Sequence, residues 1–367
     1  MKYIYLLLCI SLATLANAQD STFNVLYKAN VFSFFDNKEF AGSKAQISRT
    51  QAGTRVAPEV GIAWNGQHHI FVGVDAMHEW GSDKTIDYLE PIAYYEFEGK
   101  VFRCLVGAFP RRLTLNNYPR MFFKGSLRNY RPLVSGVFWE YRKQQSYFNL
   151  WLDWTSRQND TQRETFFMGW SGRANYGDFY AQHFGYMHHF TSTALDLPEE
   201  GGLHDNGLVL TQFGIDLAKR TGFNKLEINA GWSVGIERDR SRHEGWHTPQ
   251  GFVSEIKVEY KGVGIFNSYY RGGKQQVFAS TMSDFYRGDD LYWGDPMYRT
   301  AEYDRLDTYI QFFKTNVVTL RLTYALHFAE HAMYHQQLLS VSFSLDNLKH
   351  KPGKRYEYLW DKWLTGE

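Results

Sequence analysis

Cysteine is nearly absent: the 367 residues hold two, Cys9 and Cys104. Cys9 lies in an N-terminal segment that we expect to be removed, which leaves Cys104 alone and forbids an intrachain disulfide. For an exported chain of this size, that speaks against a disulfide-stapled soluble fold. Beyond Gln19 there is no apolar run of the ~18 or more residues that a membrane-spanning helix needs. Charge of one sign is also lacking. Forty Lys and Arg face 39 Asp and Glu, a net charge of +1, so there is no basic excess of the kind that nucleic-acid binding uses. No phosphate-cradling glycine loop or zinc-ligand spacing occurs, and no sharp serine-hydrolase signature is evident. These absences predict a chain without cofactor or metal and without enzymatic activity.

What is present begins with an export signal. Lys2 supplies a positive start, residues 3–15 an apolar stretch, and Ala16-Asn17-Ala18 a small-x-small cleavage site. The expected organisation is a signal peptide over 1–18, one domain over 19–348 and a C-terminal tail over 349–367. Aromatic residues make up 17% of the chain, although its mean hydropathy is −0.45. A chain polar on average yet dense in Tyr, Phe and Trp fits strands with one face in lipid, one in water, and aromatic belts at the two interfaces.

Period-2 alternation carries the fold assignment. Leu226, Ile228, Ala230, Trp232, Val234 and Ile236 alternate with Lys225, Glu227, Asn229, Gly231, Ser233 and Gly235. Successive side chains of a strand point to opposite faces, so one face is apolar and the other polar. Residues 148–155, 318–328 and 339–345 repeat the pattern, often over ten or more residues, the length a tilted strand needs to cross a bilayer. Tight connections sit at Asn65-Gly66, Glu98-Gly99, Gln144-Gln145, Tyr176-Gly177, Thr221-Gly222, Lys261-Gly262 and Thr315-Asn316. Longer ones fall near 35–52, 79–86, 110–132, 156–163, 191–206, 237–250, 272–302 and 329–334. Short turns alternating with long loops imply an all-β, antiparallel transmembrane barrel of about sixteen strands over roughly 22–346, its tail on the short-turn side.

With that pattern the chain resembles the outer-membrane porin superfamily, and in particular the exported porin-like barrels of Bacteroidetes. The nearest thing to a motif is Val106-Gly-Ala-Phe-Pro-Arg-Arg-Leu113, followed by Asn117-Tyr-Pro-Arg-Met-Phe-Phe123 and Leu127-Arg-Asn-Tyr-Arg-Pro132. It looks like the strand end and third outer loop of such proteins. The resemblance implies an outer-membrane location and a third loop that folds into the barrel and narrows it.

Eight basic residues, Lys100, Arg103, Arg111, Arg112, Arg120, Lys124, Arg128 and Arg131, occupy 100–139 without a carboxylate among them. Arg and Lys in a constriction favour anions, and we expect Arg103, Arg111, Arg112, Arg120, Lys124 and Arg128 to form one. Holding lipopolysaccharide phosphates, or pairing with lumen carboxylates such as Glu59, Asp75 or Glu140, is the alternative. Lys28, Arg55, Asp153, Arg173, Asp216, Glu227, Glu255, Lys257, Glu259, Arg321 and His327 should also face inward, with cross-strand pairing of opposite signs. The acidic stretch 284–307 reads as a solvated loop, since its spacing fits no EF-hand. His68-His69 and His188-His189 cannot chelate as pairs, because neighbours in a strand point apart; with His183 they read as interface histidines.

The expected function is passive passage of small hydrophilic solutes, anion-favouring, with outer-membrane lipid and lipopolysaccharide as surroundings. A plugged surface-binding or adhesion barrel and, less favoured, an outer-membrane hydrolase remain as alternatives. Homo-oligomerisation stays open.

Overall fold

The computed structural model describes residues 23–159, 164–190, 204–240, 245–277, 293–348 and 356–361. The signal peptide and the loop carboxylates Asp284, Asp289 and Asp290 lie outside them. The strands are β1 (Asn24–Glu39), β2 (Arg49–Trp64), β3 (His68–Glu79), β4 (Tyr88–Glu98), β5 (Phe102–Pro110), β6 (Leu133–Lys143), β7 (Ser146–Ser156) and β8 (Thr165–Tyr176). They continue with β9 (Phe179–Phe190), β10 (His204–Asp216), β11 (Lys225–Asp239), β12 (Gln250–Tyr260), β13 (Val263–Gly272), β14 (Glu302–Lys314), β15 (Val318–Ala329) and β16 (Ala332–Asp346). Each pairs antiparallel with its neighbours in sequence, and β1 with β16 closes the barrel. Closure leaves no unpaired edge, the condition a sheet must meet inside hydrocarbon.

The surface is inverted relative to a water-soluble protein. Along β11, Ile228 and Trp232 are each 51% exposed, whereas Ser233 and Glu237 are fully buried. An apolar outside around a polar inside is stable only where lipid covers the outside. The expected strand over 223–236 is β11, with Leu226, Ile228, Trp232 and Val234 on the outward parity.

Two connections differ from expectation. The link near 329–334 is a two-residue turn, Glu330-His331, with φ of 55° and 62°. These non-glycine residues take the left-handed region that a hairpin turn of this hand requires. The connection at Thr221-Gly222 spans 217–224 and contains a 3-10 turn at Ala218–Arg220. The acidic stretch is corrected too: Glu302, Asp304 and Asp307 belong to β14, and Asp295 and Asp307 pair with Arg305.

The 111–132 connection turns into the lumen. It starts with a 3-10 turn at Arg111–Leu113 and ends with a short helix, α1 (Leu127–Tyr130). Leu115, Tyr118, Met121, Phe122 and Leu127 are buried. Tyr118 packs on Phe184 with ring centroids 5.3 Å apart and accepts a 2.6 Å hydrogen bond from Trp151 Nε1. Phe122 meets Phe184 and Tyr186. Arg111 anchors the entry: its Nη2 donates to Asp153 at 2.6 Å and to the Leu133 carbonyl at 2.8 Å, and its Nε to the Arg131 carbonyl at 2.9 Å. A second inward segment, 293–300, hydrogen-bonds to the first: Lys124 N donates to Trp293 O at 2.7 Å and Asp295 N to Arg120 O at 2.8 Å.

Two stability outcomes follow. Trp232→Arg puts a charge on the lipid face near mid-strand and should cost about 2–4 kcal/mol. Asp153→Ala leaves the buried Arg111 without its counter-charge and should cost roughly 3–5 kcal/mol. Urea unfolding of vesicle-inserted protein measures both. An unchanged midpoint for either variant contradicts the corresponding assignment.

Candidate functional sites in the lumen and on the lipid-facing wall

The first site is a cavity of about 420 Å³ inside the barrel. Its lining includes Arg111, Arg112, Arg120, Lys124 and Arg128 from the inward loop, with Asn30 and Phe32 of β1, Arg55 of β2, Asp75 of β3 and Arg321 of β15. Five of the six residues expected at a constriction thus share one chamber. The sixth, Arg103, lies elsewhere, donating to Glu96 on the neighbouring strand at 2.8 Å. It lines a second cavity of about 330 Å³ beside the Gln144-Gln145 turn. Arg112 and Asn116 line both chambers.

Most of this positive charge is matched by carboxylates remote in sequence. Arg111 pairs with Asp153 at 2.6 Å, Arg112 with Glu59 at 3.3 Å and Arg120 with Asp307 at 2.6 Å. Arg55 donates to Asp75 at 2.7 Å and also to the Asn129 carbonyl, tying β2 to the end of α1. Elsewhere in the lumen the expected cross-strand pairing also occurs, for example Lys225–Glu259 at 3.1 Å and Arg173–Glu227 at 3.7 Å. Asp295, on the second inward segment, is fully enclosed. Burial would raise its carboxyl, but Arg305 alongside outweighs that and holds it below the usual carboxylate range.

Arg128 and Arg321 are the exceptions. Among the described residues, neither has a carboxylate within 4.0 Å. The Arg128 guanidinium lies 4.3 Å from the Phe32 ring centroid, and that of Arg321 3.6 Å from the Tyr309 centroid. Arg321 Nε donates to Thr323 Oγ1 at 3.2 Å.

The second site lies on the outside, where β16 and β1 close the barrel. On the outward parity, near the long-loop ends of β15, β16, β1 and β2, polar side chains replace the apolar face. Thr50 Oγ1 donates to Asn37 Oδ1 at 2.6 Å, and Asn37 Nδ2 donates to Gln337 Oε1 at 2.6 Å and Glu39 Oε1 at 3.0 Å. Glu39 stands opposite His335 in the strand register. His335 Nδ1 is 2.7 Å from the Tyr324 hydroxyl. None of these six residues was picked out from sequence. The available signal was the break in alternation at Asn37, Glu39, Thr50, His335 and Gln337, where apolar residues were due.

The histidines divide by parity. His68 faces outward, 2.7 Å from the Tyr95 hydroxyl. His188 is corrected from an interface residue to a buried lumen residue, its ring centroid 4.2 Å from that of Phe167. It shares the inward parity of Phe184 and Tyr186 and stacks on Phe167, which in turn packs on Trp293 of the second inward segment.

Solved structures share the architecture. An anion-selective porin from Comamonas acidovorans superposes with a TM-score of 0.53 at 9% identity, over 89% of this chain and all of that one. A loop-deletion mutant of OmpT, an outer-membrane protein of Vibrio cholerae, gives 0.51 at 9% identity, over 89% and 99%. At this identity they establish the fold, that of outer-membrane porins and channels. No curated protein sequence matches the chain.

The family model for the lipid A 3'-O-deacylase type matches residues 17–350. That family is named for an enzyme, which overturns the expectation of a chain without enzymatic activity. The lack of a sharp hydrolase signature misled there: the run Gly231-Trp-Ser-Val-Gly235 lies within β11 and forms no strand-to-helix elbow, but an elbow serves only one way of cleaving an ester and water can be the nucleophile. Matched along its entire barrel, the chain belongs to the lipid A 3'-O-deacylase-type family.

Proposed function

We propose that this protein hydrolyses the ester holding an acyl chain at the 3' position of lipid A, and that it does so at the polar seam on its outer wall. The observation that carries the reading is the lipid-facing cluster of Asn37, Glu39, Thr50, Tyr324, His335 and Gln337. Polar and ionisable groups facing lipid are expensive, and by default they mark function. The cluster runs from Glu39 at the very end of β1 to Tyr324 and Gln337, each five residues inside its strand, hence from the long-loop rim to roughly 17 Å below it at ~3.3 Å per residue. Esters of a lipid in the outer leaflet lie at comparable depth.

The side chains supply the elements of ester hydrolysis. With Nδ1–H donated to the Tyr324 oxygen, His335 keeps the lone pair on Nε2 and takes a proton from water as its oxygen attacks the ester carbonyl. Glu39, across the strand pair, stabilises the resulting imidazolium. The tetrahedral intermediate collapses by breaking the bond to the sugar 3' oxygen, which takes the proton back from His335. The products are a free fatty acid and a 3'-hydroxyl. Asn37 and Thr50 hold the carboxylate side of the seam in place.

Mass spectrometry of lipid A incubated with the detergent-solubilised protein tests this. The wild type should release the 3' acyl chain, and His335→Ala and Glu39→Gln should each slow release about 10²–10⁴-fold. Activity unchanged in both variants, or no release by the wild type, contradicts the reading.

A second reading rests on the basic lumen: passage of small hydrophilic solutes with a preference for anions. It is compatible with the first, since one activity uses the outer wall and the other the interior. Arg112, on the boundary between the two chambers, is the group best placed to act on a passing ion. Reversal potentials under a salt gradient should show anion preference, and Arg112→Glu should move it toward cations. A cation preference in the wild type, or no shift in the variant, counts against this reading.

A further inference from the structure

Among the described residues, two lumen guanidiniums have no carboxylate within 4.0 Å. Of the chamber's arginines, Arg55, Arg111, Arg112 and Arg120 each have an acidic partner, Asp75, Asp153, Glu59 and Asp307 respectively. Arg128 and Arg321 approach from separate elements, α1 and β15, and line the same cavity. Each guanidinium sits over an aromatic ring, Phe32 at 4.3 Å and Tyr309 at 3.6 Å from the centroid. That contact covers a face of the guanidinium and leaves its N–H edge to donate. Two guanidiniums without a direct carboxylate partner among the described residues, in a confined and partly desolvated space, favour a ligand that brings two negative charges.

We infer that the lumen chamber is a binding site for a small dianion, a phosphate monoester or a dicarboxylate, gripped between Arg128 and Arg321. Arginine forks match both groups bidentately. The chamber's volume, about 420 Å³, lies toward the small end of ligand pockets and suits a ligand of roughly monosaccharide-phosphate size or below. Asn30 lines the β1 wall of the chamber with its Nδ2 already donated to the Phe343 carbonyl at 3.1 Å and Ser344 Oγ at 2.9 Å, so the arginines carry the recognition. The lipid-facing seam is not involved, because Asn30 and Phe32 point inward and Asn37 outward. The inference deepens the second reading above, the anion-favouring lumen, by naming the ligand class and adding Arg321.

Isothermal titration calorimetry on the folded, detergent-solubilised protein decides it. The probes are glucose 1-phosphate, inorganic phosphate and succinate, with acetate as monoanion control. At least one dianion should bind at least tenfold more tightly than acetate. Glucose 1-phosphate tighter than succinate assigns phosphate monoesters, and the reverse order assigns dicarboxylates. Arg128→Gln and Arg321→Gln should each weaken binding about tenfold or more, and Arg128→Lys should recover part of the loss. Retained heat-modifiable migration on gels shows that each variant is folded. Dianions no tighter than acetate, or folded Gln variants that bind like the wild type, overturn the inference. Reversal potentials separate the two claims. Dianion binding without anion preference leaves the site and removes the passage reading; anion preference without dianion binding does the opposite.

Discussion

The ion pair between Arg111 and Asp153 governs the interior. At the end of β5 the chain could run outward as an ordinary surface loop. Instead Arg111 turns in, meets the β7 carboxylate, and satisfies the Arg131 and Leu133 carbonyls on the returning strand. Asp153 in turn accepts from Ser135 N at 3.0 Å. Both ends of the 111–132 segment are thereby fixed to the wall, and everything between them must fit inside. Its apolar residues then bury against Phe184, Tyr186 and Trp151, and its backbone supplies partners for the second segment, 293–300. A sixteen-stranded barrel is wide enough to leave an aqueous channel. Here much of that width is filled by protein, and the basic chamber is what remains between the inward loop and the β1–β3 and β15 wall.

The two faces of the wall then separate two kinds of chemistry. Inside, charges of both signs pair across strands, while Arg128 and Arg321 lie against aromatic rings with no carboxylate within 4.0 Å among the described residues. Outside, hydrocarbon is the solvent and a polar group is tolerated only where it has partners or a task. Most polar residues of the outer face meet this by local bonding, as Ser33 and Thr54 do at 3.0 Å. The seam between β16 and β1 is larger, spans four strands and includes a carboxylate opposite an imidazole. That is the reason to look for lipid chemistry there and for solute chemistry within.

The barrel was legible because its signal is local. Parity along 225–236 assigns the two faces of β11 without knowledge of any other strand, and turn residues such as Asn65-Gly66 mark the hairpins. Turn length was less legible. Glu330-His331 makes a tight turn without Gly, Asn or Asp, while Thr221-Gly222 sits inside a longer link. The basic run in 100–139 was visible, and pairing with lumen carboxylates such as Glu59 stood as an alternative, but the full set of partners was not legible. Glu59, Asp153 and Asp307 are brought to it from β2, β7 and β14 by closure of the barrel, and nothing in their sequence neighbourhoods announces it. The outer seam was hidden for the opposite reason. Asn37, Thr50 and His335 are scattered over 300 residues and look like lapses in alternation until β16 meets β1. Enzymatic activity was not legible because polar groups facing lipid carry no nucleophile motif in the sequence.

A spin-label scan in a Cys104→Ser background tests the central claim, an apolar lipid-facing wall around a protein-filled lumen. Nitroxides would be placed by Trp232→Cys, Ser233→Cys and Phe122→Cys in vesicle-inserted protein, and their collision with oxygen and with an aqueous nickel complex compared. The account predicts that position 232 meets oxygen dissolved in lipid, while 233 and 122 are shielded from lipid and only weakly reached from water. Equal lipid exposure at 232 and 233, or free aqueous collision at 122 like that of a surface loop, would contradict it.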